Sequence, residues 1–578
     1  MEQSRGMFGP PPKKSRFIGF IVLLILLTGM VIAKYASLML GPVQPTRPKL
    51  FLTADRGQIL DRNGRILAIQ TRSGNVTVWR PQTGDLAALA TVLSPVLGMS
   101  ETEISNKINF SATDFVYLKK QVDQDVIRDV SELSMAGAID GVSIEPIMGR
   151  IYPEGALAGQ IIGFTGDENT GLAGIEYTFD EELRAKEGNS PETAGGITGN
   201  NVVLTIDTTI QYLLEEIAEK TSSENSAEAV MLLAMDPRSG EILGAATTPR
   251  FDPNRFKESD DEARMIRPAV WAYEPGSVFK VFSIAAILDT GAVAPHSAFY
   301  CNGSYEHVTN LGERIVIKCL GEHGSVDLRK IITFSCNAGA AYASDAVGKA
   351  MFYDEIRKLG FGEKTGSGLP GETAGFLRPP ERWSDRTKPT IAMGQEIAVS
   401  AMQMLRAATA IANDGVMVTP HIVLQIEDAA GKNPRKPALP APRRVLSPET
   451  ARELRSYMTD VTSTSGTGYR ANVGDIQLAV KTGTAQIIDS KTNRYSDTDF
   501  IASCIALLPA EEPVLVLYIV IIKPKGASYL GGRIAAPPIR EAAEALINYI
   551  GIPRGRNPTA THTGTIRLPP SPAPFISD

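Results

Sequence analysis

The chain has 578 residues, a formal net charge of −6 and 43% hydrophobic residues. This length suggests several domains, and the ordinary apolar content indicates a folded protein rather than a disordered one. The negative charge, together with the lack of basic clusters interleaved with aromatic residues, argues against a protein that binds nucleic acid. The chain has only five histidines, and none has H-x-x-x-H or Cys/His spacing, so the sequence predicts no metal site and no cofactor.

The first predicted element is an uncharged apolar run at residues 17–33, directly after a basic flank. We predict one transmembrane signal anchor over residues 17–40, with residues 1–16 as a cytoplasmic tail, because basic flanks stay inside. No small-residue cleavage site follows the run, which favours an uncleaved anchor over a removed signal peptide. The bulk of the chain would then lie on the periplasmic side of the cytoplasmic (inner) membrane.

The next predicted region, residues 41–225, mixes short strands with amphipathic segments and carries no conspicuous catalytic cluster. It begins with a proline-rich extended spacer at residues 41–50. Its last part, residues 198–220, predicts a strand, an N-cap at Asp207 or Thr208 and an amphipathic helix. We therefore expect a mixed α/β domain without chemistry of its own.

Residues 226–552 have strand patterns at both ends and helical patterns between them. Residues 229–248 predict a β-hairpin, and three strand candidates follow near the other end, before a last amphipathic helix; the three candidates are residues 476–486, 500–510 and 513–522. This order predicts one α+β domain whose antiparallel sheet is built from both ends. The tail at residues 553–578 is rich in Pro, Thr and Gly and is predicted to be disordered.

Four cysteines leave the redox state open. Cys301 and Cys319 bracket two strand-like runs around a turn at residues 310–312. In an oxidising compartment a disulfide across this hairpin would stabilise the fold by about 3 kcal/mol. Two free buried thiols are the alternative, and the sequence does not decide between them. Cys336 and Cys504 lie in apolar contexts and are expected in the core.

Three short motifs inside the α+β domain point to the chemistry. They are an S-x-x-K at a helix start, an S-x-N at a polar break in helical sequence, and a K-T-G-T on a strand. Each motif is weak alone, but the three in this order and these settings indicate a serine acyltransferase of the penicillin-recognising enzymes. The candidate residues are Ser277, Lys280, Ser335, Asn337, Lys481, Thr482, Gly483 and Thr484.

A serine hydroxyl needs a base to become a nucleophile, and no histidine lies near any of the motifs. Lys280, one helical turn from Ser277, is the available base. It must be neutral, so burial and the nearby cation Lys481 are expected to lower its pKa toward 7–8. Ser335 is expected to relay the proton to the leaving amine, and Asn337 to hold a substrate amide.

The third motif is expected to bind the substrate. Gly483 would let an extended peptide lie against the strand edge. Backbone N–H groups of Ser277 and Thr484 are expected to form the oxyanion hole, where each donor contributes about 10²–10³ in rate.

These residues resemble class B penicillin-binding proteins, the monofunctional D,D-transpeptidases of peptidoglycan. The resemblance implies a serine β-lactamase-like transpeptidase domain at residues 226–552. It also implies an elongated mixed α/β pedestal for dimerisation or partner binding at residues 41–225, and one transmembrane helix. Further stretches that resemble the family lie at residues 56–68, 149–166, 171–183, 370–375, 393–415 and 529–538.

The resemblance also implies the substrate and partners. Stem peptides ending in D-Ala-D-Ala would be cross-linked through a Ser277 acyl-enzyme, with Lys481, Thr482 and Thr484 binding the terminal carboxylate. β-Lactams would acylate the same serine. A polytopic membrane glycosyltransferase is the partner that the family implies. The stretches EPGS and PGETAG favour the septal branch, which implies other division proteins as further partners.

Three alternatives remain: an elongation-type transpeptidase, a β-lactamase-like hydrolase and a non-catalytic division scaffold. Glu396 and Ser400-Ala401, where the family usually has glycine and Thr-Pro, weaken the septal assignment. A class A lactamase needs a glutamate in an E-x-x-L-N stretch between the second and third motifs. The similar EALIN at residues 544–548 lies after the third motif and predicts a core helix.

Overall fold

The computed structural model describes residues 14–40, 55–166, 168–184, 198–310, 312–489 and 491–554. They divide into two compact units: the helix α1 (Lys14–Leu40), and the part that begins after Thr53. Over the described residues, no helix combines the length and the apolar composition that a membrane crossing requires. The predicted anchor therefore stays a prediction. The predicted spacer and nearly all of the predicted tail lie outside the described residues.

The described residues between 55 and 225 contain five strands and seven α-helices. Asp207 caps the last helix, as the sequence predicts: its carboxylate accepts hydrogen bonds from the backbone N–H groups of Thr209 and Ile210. The elements are β1 (Ile59–Leu60), β2 (Ile66–Trp79), α2 (Leu86–Leu97), α3 (Glu101–Asn109), β3 (Phe115–Val122), α4 (Gln124–Met135), β4 (Val142–Ile151), α5 (Gly159–Ile162), α6 (Gly174–Thr178), α7 (Asp180–Leu183), β5 (Asn201–Leu204) and α8 (Thr208–Asn225).

The region from residue 226 is helical in its middle and has strands at both ends. Its first elements are β6 (Ala229–Met235), β7 (Ile242–Thr247), α9 (Asp261–Arg264), α10 (Arg267–Val270), α11 (Lys280–Asp289), β8 (Phe299–Cys301), β9 (Ser304–Val308), β10 (Arg314–Lys318), β11 (Gly324–Val326), α12 (Leu328–Phe334), α13 (Asn337–Asp345) and α14 (Lys349–Lys358). The remaining elements are α15 (Thr387–Ile391), α16 (Ala401–Ala412), β12 (Val416–Met417), β13 (Val423–Glu427), β14 (Arg443–Arg444), α17 (Pro448–Thr459), β15 (Ala479–Asp489), β16 (Arg494–Leu508), β17 (Leu515–Ile522), α18 (Gly531–Ile534) and α19 (Ala536–Ile550).

The main sheet has the strand order β15-β16-β17-β6-β7, and every neighbouring pair is antiparallel. This confirms the predicted sheet built from both ends of the domain. The helix α11 packs in the core and is buried from Lys280 to Leu288, because its sequence is apolar on all sides except at the lysine and one serine. The predicted core helix over EALIN is α19, which buries Ile539, Ala543 and Leu546.

A second sheet joins the two predicted domains. Its order is β13-β5-β1-β2-β3, with β4 also paired to β2, so a strand from the catalytic region completes the sheet of the N-terminal region. A separate small core of apolar side chains, with Val76, Leu93 and Ile104 fully buried, lies beneath the outer part of this sheet. The N-terminal region is thus attached to the catalytic region by backbone hydrogen bonds.

Candidate active site

Ser277 lies on a 3₁₀ turn (Gly276–Phe279) that leads directly into α11. The turn is possible because Gly276 has a positive φ of 57° and has no side chain; a Cβ there would lie 2.8 Å from the backbone oxygen of Thr484. This close approach brings the serine backbone beside the third motif on β15. The predicted helix start is therefore a tighter turn, with Lys280 as the first residue of the α-helix.

Lys280 is fully buried and lies at the centre of the candidate site. Its Nζ donates hydrogen bonds to Ser277 Oγ at 2.7 Å and to Asn337 Oδ1 at 2.6 Å. It also lies 3.2 Å from the backbone oxygen of Ser335 and 3.4 Å from Ser335 Oγ. One ammonium group thus connects the first two motifs.

Burial lowers the pKa of Lys280 to about 8, because the charged form loses its hydration. The sulfurs of Cys319 and Cys336 act in the opposite direction and favour the charged form. A substantial fraction of the lysine is therefore neutral near physiological pH, as a general base requires. The sequence interpretation also expected Lys481 to lower the pKa of Lys280. Burial is the cause that lowers the pKa of Lys280, and the charge of Lys280 in turn lowers the pKa of Lys481.

The second motif lies between α12 and α13. Ser335 has a left-handed backbone, with φ 57°, and ends α12. Its Oγ accepts a hydrogen bond from Lys481 Nζ at 3.0 Å. Lys481 is fully buried, and its pKa lies well below the ordinary value, first because of burial and then because of Lys280. Ser335 thus lies between the two lysines, where a hydroxyl can accept from one and donate to the other.

The third motif lies within β15, the edge strand of the main sheet. A Cβ at Gly483 would lie 2.7 Å from Ser503 Oγ and 2.8 Å from Val278 Cγ2. The glycine is therefore needed so that the strand can pack against the serine turn. This packing is a second reason for a glycine here, besides the room for an extended peptide that the sequence predicts. Thr484 Oγ1 accepts from the backbone N–H of Gly531 at 3.0 Å, which connects the motif to α18.

The geometry forms a continuous polar path through the three motifs. It runs from Ser277 Oγ to Lys280 Nζ, on to Ser335 Oγ, and then to Lys481 Nζ. Such a path can take a proton from a serine and return it at another point of the site. The structure thus brings together seven of the eight residues predicted from the sequence. The eighth, Thr482, lies on the same strand, and its hydroxyl donates to Thr467 Oγ1 at 3.0 Å.

One acidic residue next to the site was not predicted. Burial raises the pKa of Glu274 to about 7, and the carboxylate of Glu396 acts in the same direction. Its Oε1 accepts hydrogen bonds from the Glu396 backbone N–H and from the Tyr495 hydroxyl. The signal in the sequence was the acidic residue directly before the Pro-Gly that precedes Ser277.

The cysteines depart from the predicted disulfide. All four are free thiols, so the bridge between Cys301 and Cys319 is not formed. Instead, Cys301, Cys319 and Cys336 converge on His323, and the four ligand atoms lie within 4.8 Å of one another. The prediction that no Cys/His grouping exists is therefore wrong. Cys336 and Cys504 are buried as expected.

Comparison with known proteins identifies the family. Residues 230–544 match the penicillin-binding protein transpeptidase domain, and residues 51–195 match the penicillin-binding protein dimerisation domain. The chain belongs to the penicillin-binding protein transpeptidases. This confirms the predicted class, a class B penicillin-binding protein with a serine transpeptidase domain.

Similar penicillin-binding proteins span most of the chain. Stage V sporulation protein D from Bacillus subtilis is 30% identical over 549 residues, which cover 91% of this chain and 83% of that protein. The probable peptidoglycan D,D-transpeptidase PenA from Neisseria meningitidis is 30% identical over 529 residues, which cover 87% of this chain and 85% of that protein. The crystal structure of penicillin-binding protein 3 from Mycobacterium tuberculosis with aztreonam superposes with a TM-score of 0.69 at 26% identity. It covers 87% of this chain and 98% of that one.

Proposed function

We propose that this penicillin-binding protein cross-links peptidoglycan stem peptides as a D,D-transpeptidase, through an acyl-enzyme on Ser277. The observation that carries the proposal is the buried Lys280 Nζ 2.7 Å from Ser277 Oγ, with the other two motifs around it. The similar PenA protein of Neisseria meningitidis is a probable peptidoglycan D,D-transpeptidase, which supports the same reaction.

Acylation begins when neutral Lys280 takes the proton of Ser277. The serine oxygen attacks the carbonyl carbon between the two terminal D-alanines, and the carbonyl oxygen becomes an oxyanion. Backbone N–H groups of Ser277 and Thr484 stabilise that charge. They lie on the serine turn and on β15, which the close contacts at Gly276 and Gly483 bring together. The C–N bond then breaks, and the proton passes from Lys280 through Ser335 to the leaving D-alanine amine.

Deacylation reverses the proton path with a different amine. An amino group of a second stem peptide attacks the Ser277 ester and forms the new amide cross-link. Its proton returns through Ser335 and Lys280 to the serine oxygen, so the enzyme is regenerated. A water-activating glutamate is not part of this scheme. Glu544, within EALIN, pairs with Arg540 at 2.8 Å on α19.

Substrate binding is assigned to the third motif and to Asn337. Lys481, Thr482 and Thr484 would bind the terminal carboxylate of the D-Ala-D-Ala end, since a cation and two hydroxyls suit that group. Asn337 would hold a peptide amide while its Oδ1 also orients Lys280. β-Lactams would acylate Ser277 in the same position, because the relative from Mycobacterium tuberculosis has been crystallised with aztreonam and with ampicillin.

We extend the proposal to the location and role of the protein. The apolar side chains described on α1, from Ile18 to Tyr35, are exposed, as a single membrane anchor of the cytoplasmic membrane requires. The catalytic part would then lie on the periplasmic side, with a polytopic membrane glycosyltransferase as partner. The stretches EPGS and PGETAG support a septal, cell-division role.

The test is a transfer assay with the full-length protein. A peptide thioester that mimics the D-Ala-D-Ala end is supplied with and without a D-amino acid as acceptor, and products are separated by mass spectrometry. We expect a transfer product that depends on the acceptor and is lost in Ser277→Ala. Hydrolysis alone, undiminished by acceptor, would favour the β-lactamase-like hydrolase, and no turnover would favour the non-catalytic scaffold.

A further inference from the structure

A group of three thiols and one imidazole lies beside the catalytic residues and has no part in the proposed reaction. Cys301 ends β8, Cys319 follows β10, His323 precedes β11 and Cys336 separates α12 from α13. Cys301 and Cys336 are fully buried, and the other two are half-buried. Four side chains from four separate points of the chain thus meet at one place.

The spacing of the four ligand atoms fits a tetrahedral zinc site. His323 Nδ1 lies 3.5 Å from Cys301 Sγ and 3.6 Å from Cys319 Sγ, and Cys319 Sγ lies 3.8 Å from Cys336 Sγ. Usual zinc bond lengths place two sulfurs of a tetrahedron about 3.8 Å apart, and a sulfur and a nitrogen about 3.5 Å apart. These three separations match those of a Cys₃His zinc centre, and all four ligand atoms lie within 4.8 Å of one another.

Backbone N–H groups already point at the sulfurs, as expected around zinc-bound thiolates. Asn337 N–H donates to Cys319 Sγ at 3.1 Å, and Gly339 N–H donates to Cys336 Sγ at 3.2 Å. Both donors belong to the first turn of α13, whose positive end favours negative charge. The His323 ring stacks on Phe334, with centroids 5.8 Å apart, which fixes its orientation.

The cluster is directly connected to the active site, because Cys336 is the middle residue of the second motif. Its neighbours, Ser335 and Asn337, both contact Lys280. Asn337 Nδ2 also donates to the backbone oxygen of Lys318, the residue before Cys319. A ligand that holds the Cys336 and Cys319 side chains together therefore also holds Ser335 and Asn337 against Lys280.

We propose that Cys301, Cys319, His323 and Cys336 bind one Zn²⁺ ion, and that this ion fixes Ser335 and Asn337 in their places around Lys280. Binding displaces the protons of the three thiols and closes the β8–β11 segment onto the start of α13. The site has four protein ligands and no open position, so its role is structural rather than catalytic. The cysteines and His323 are positioning residues.

The first test measures the metal itself in the full-length protein, purified without chelators. We expect about one zinc per chain by elemental analysis, and Co²⁺ exchange should give the intense visible bands of tetrahedral thiolate coordination. His323→Ala and Cys319→Ser should lose the metal. Two control variants should keep the metal. They are His307→Ala, at an exposed residue of β9, and Cys504→Ser, at a cysteine outside the cluster. Wild-type protein without zinc and without cobalt bands would overturn the proposal, as would a disulfide among these cysteines in non-reducing peptide mapping.

The second test concerns the connection to Ser277. Removing the zinc with a strong chelator should slow acylation by penicillin on the order of tenfold to hundredfold, because a small displacement of catalytic groups has such effects. The loss should lie in the acylation rate constant rather than in the initial affinity for the drug, and added Zn²⁺ should restore it. Unchanged acylation in the metal-free protein would overturn the positioning role.

Discussion

Two buried lysines share one serine hydroxyl at the centre of this site, and burial keeps both pKa values below their ordinary range. A charged Lys280 cannot accept the proton of Ser277, so the fraction of neutral lysine limits acylation. The low pKa therefore follows from the same burial that excludes water from the lysine. This is the residue-level basis of the proposed chemistry.

The pH dependence of acylation tests this assignment. The pKa of Lys280 is about 8, so the neutral fraction rises as pH increases from about 6 to 9. We expect the rate constant of penicillin acylation, measured by stopped-flow or quenched mass spectrometry, to rise about tenfold for each pH unit below 8 and then level off. A rate that is flat or that falls across this range would exclude Lys280 as the base.

Glu274 gives a second prediction at this scale, for stability. Its folded pKa of about 7 lies above the unfolded value of about 4.3. The folded state therefore binds more protons between these values, and this residue makes stability fall as pH rises from about 4.3 to 7. Glu274→Gln keeps an acceptor oxygen but removes the charge, so it should raise stability at pH 8 by about 1–3 kcal/mol and change it little at pH 4.

Thermal unfolding at the two pH values measures this effect, with the exposed Glu511→Gln as control. The difference in Tm between Glu274→Gln and wild type should grow with pH, whereas the control should show no such trend. An equal Tm difference at both pH values would show that folding does not raise the pKa of Glu274.

At the scale of elements, the site depends on how closely β15 approaches the turn that carries Ser277. Two glycines make that approach possible, Gly276 on the turn and Gly483 on the strand. The contact is backbone against backbone at Gly276, and backbone against the Val278 and Ser503 side chains at Gly483. The strand and the nucleophile are therefore positioned together.

Gly483→Ala tests this packing. The added methyl group would lie within 2.8 Å of Val278 and Ser503, so the strand must move away from the serine turn. We expect acylation to slow on the order of a hundredfold, since shifts of about 1 Å have such effects. Gly348→Ala, where a Cβ would meet nothing within 4 Å, serves as the matched control in the same labelling assay. Equal rates for the two variants would mean that the close approach is not needed.

The sequence predicts the helices and strands better than it predicts the contacts between side chains from different elements. The order of the motifs and their places on helices and strands were sufficient to find Ser277, Lys280 and their partners, because local sequence patterns assign each motif to a helix, a turn or a strand. The Cys₃His cluster was missed because its ligands are separated by 17, 3 and 12 residues, and only the β8–β11 and β9–β10 pairings bring them together. Cys319-x₃-His323 was the one local signal.

At the scale of the whole molecule, buried ion pairs connect the three family-like stretches of the N-terminal region. Glu176 is fully buried and accepts hydrogen bonds from Arg56 Nε at 2.8 Å and from Arg150 Nε at 2.6 Å. Each of these residues lies in a different stretch of the resemblance. These stretches thus contact one another through buried charges, which the sequence could not show because Arg56 lies 120 residues and Arg150 26 residues from Glu176.

Glu176→Ala should destabilise the protein by about 3–5 kcal/mol, because buried Arg150 loses its counter-charge and buried Arg56 keeps only Asp180. Glu154→Ala is the matched control, since its pair with Arg65 is partly exposed and contributes about 1 kcal/mol or less. Chemical denaturation measures both. A small effect of Glu176→Ala would show that water or other acids compensate these arginines.

Intact-mass spectrometry of the full-length protein after penicillin shows whether Ser277 forms a covalent intermediate that water does not readily release. We expect one stable adduct per chain, absent in Ser277→Ala under conditions where that variant remains folded. An adduct that persists in the variant, or no adduct in the wild type, would contradict this expectation.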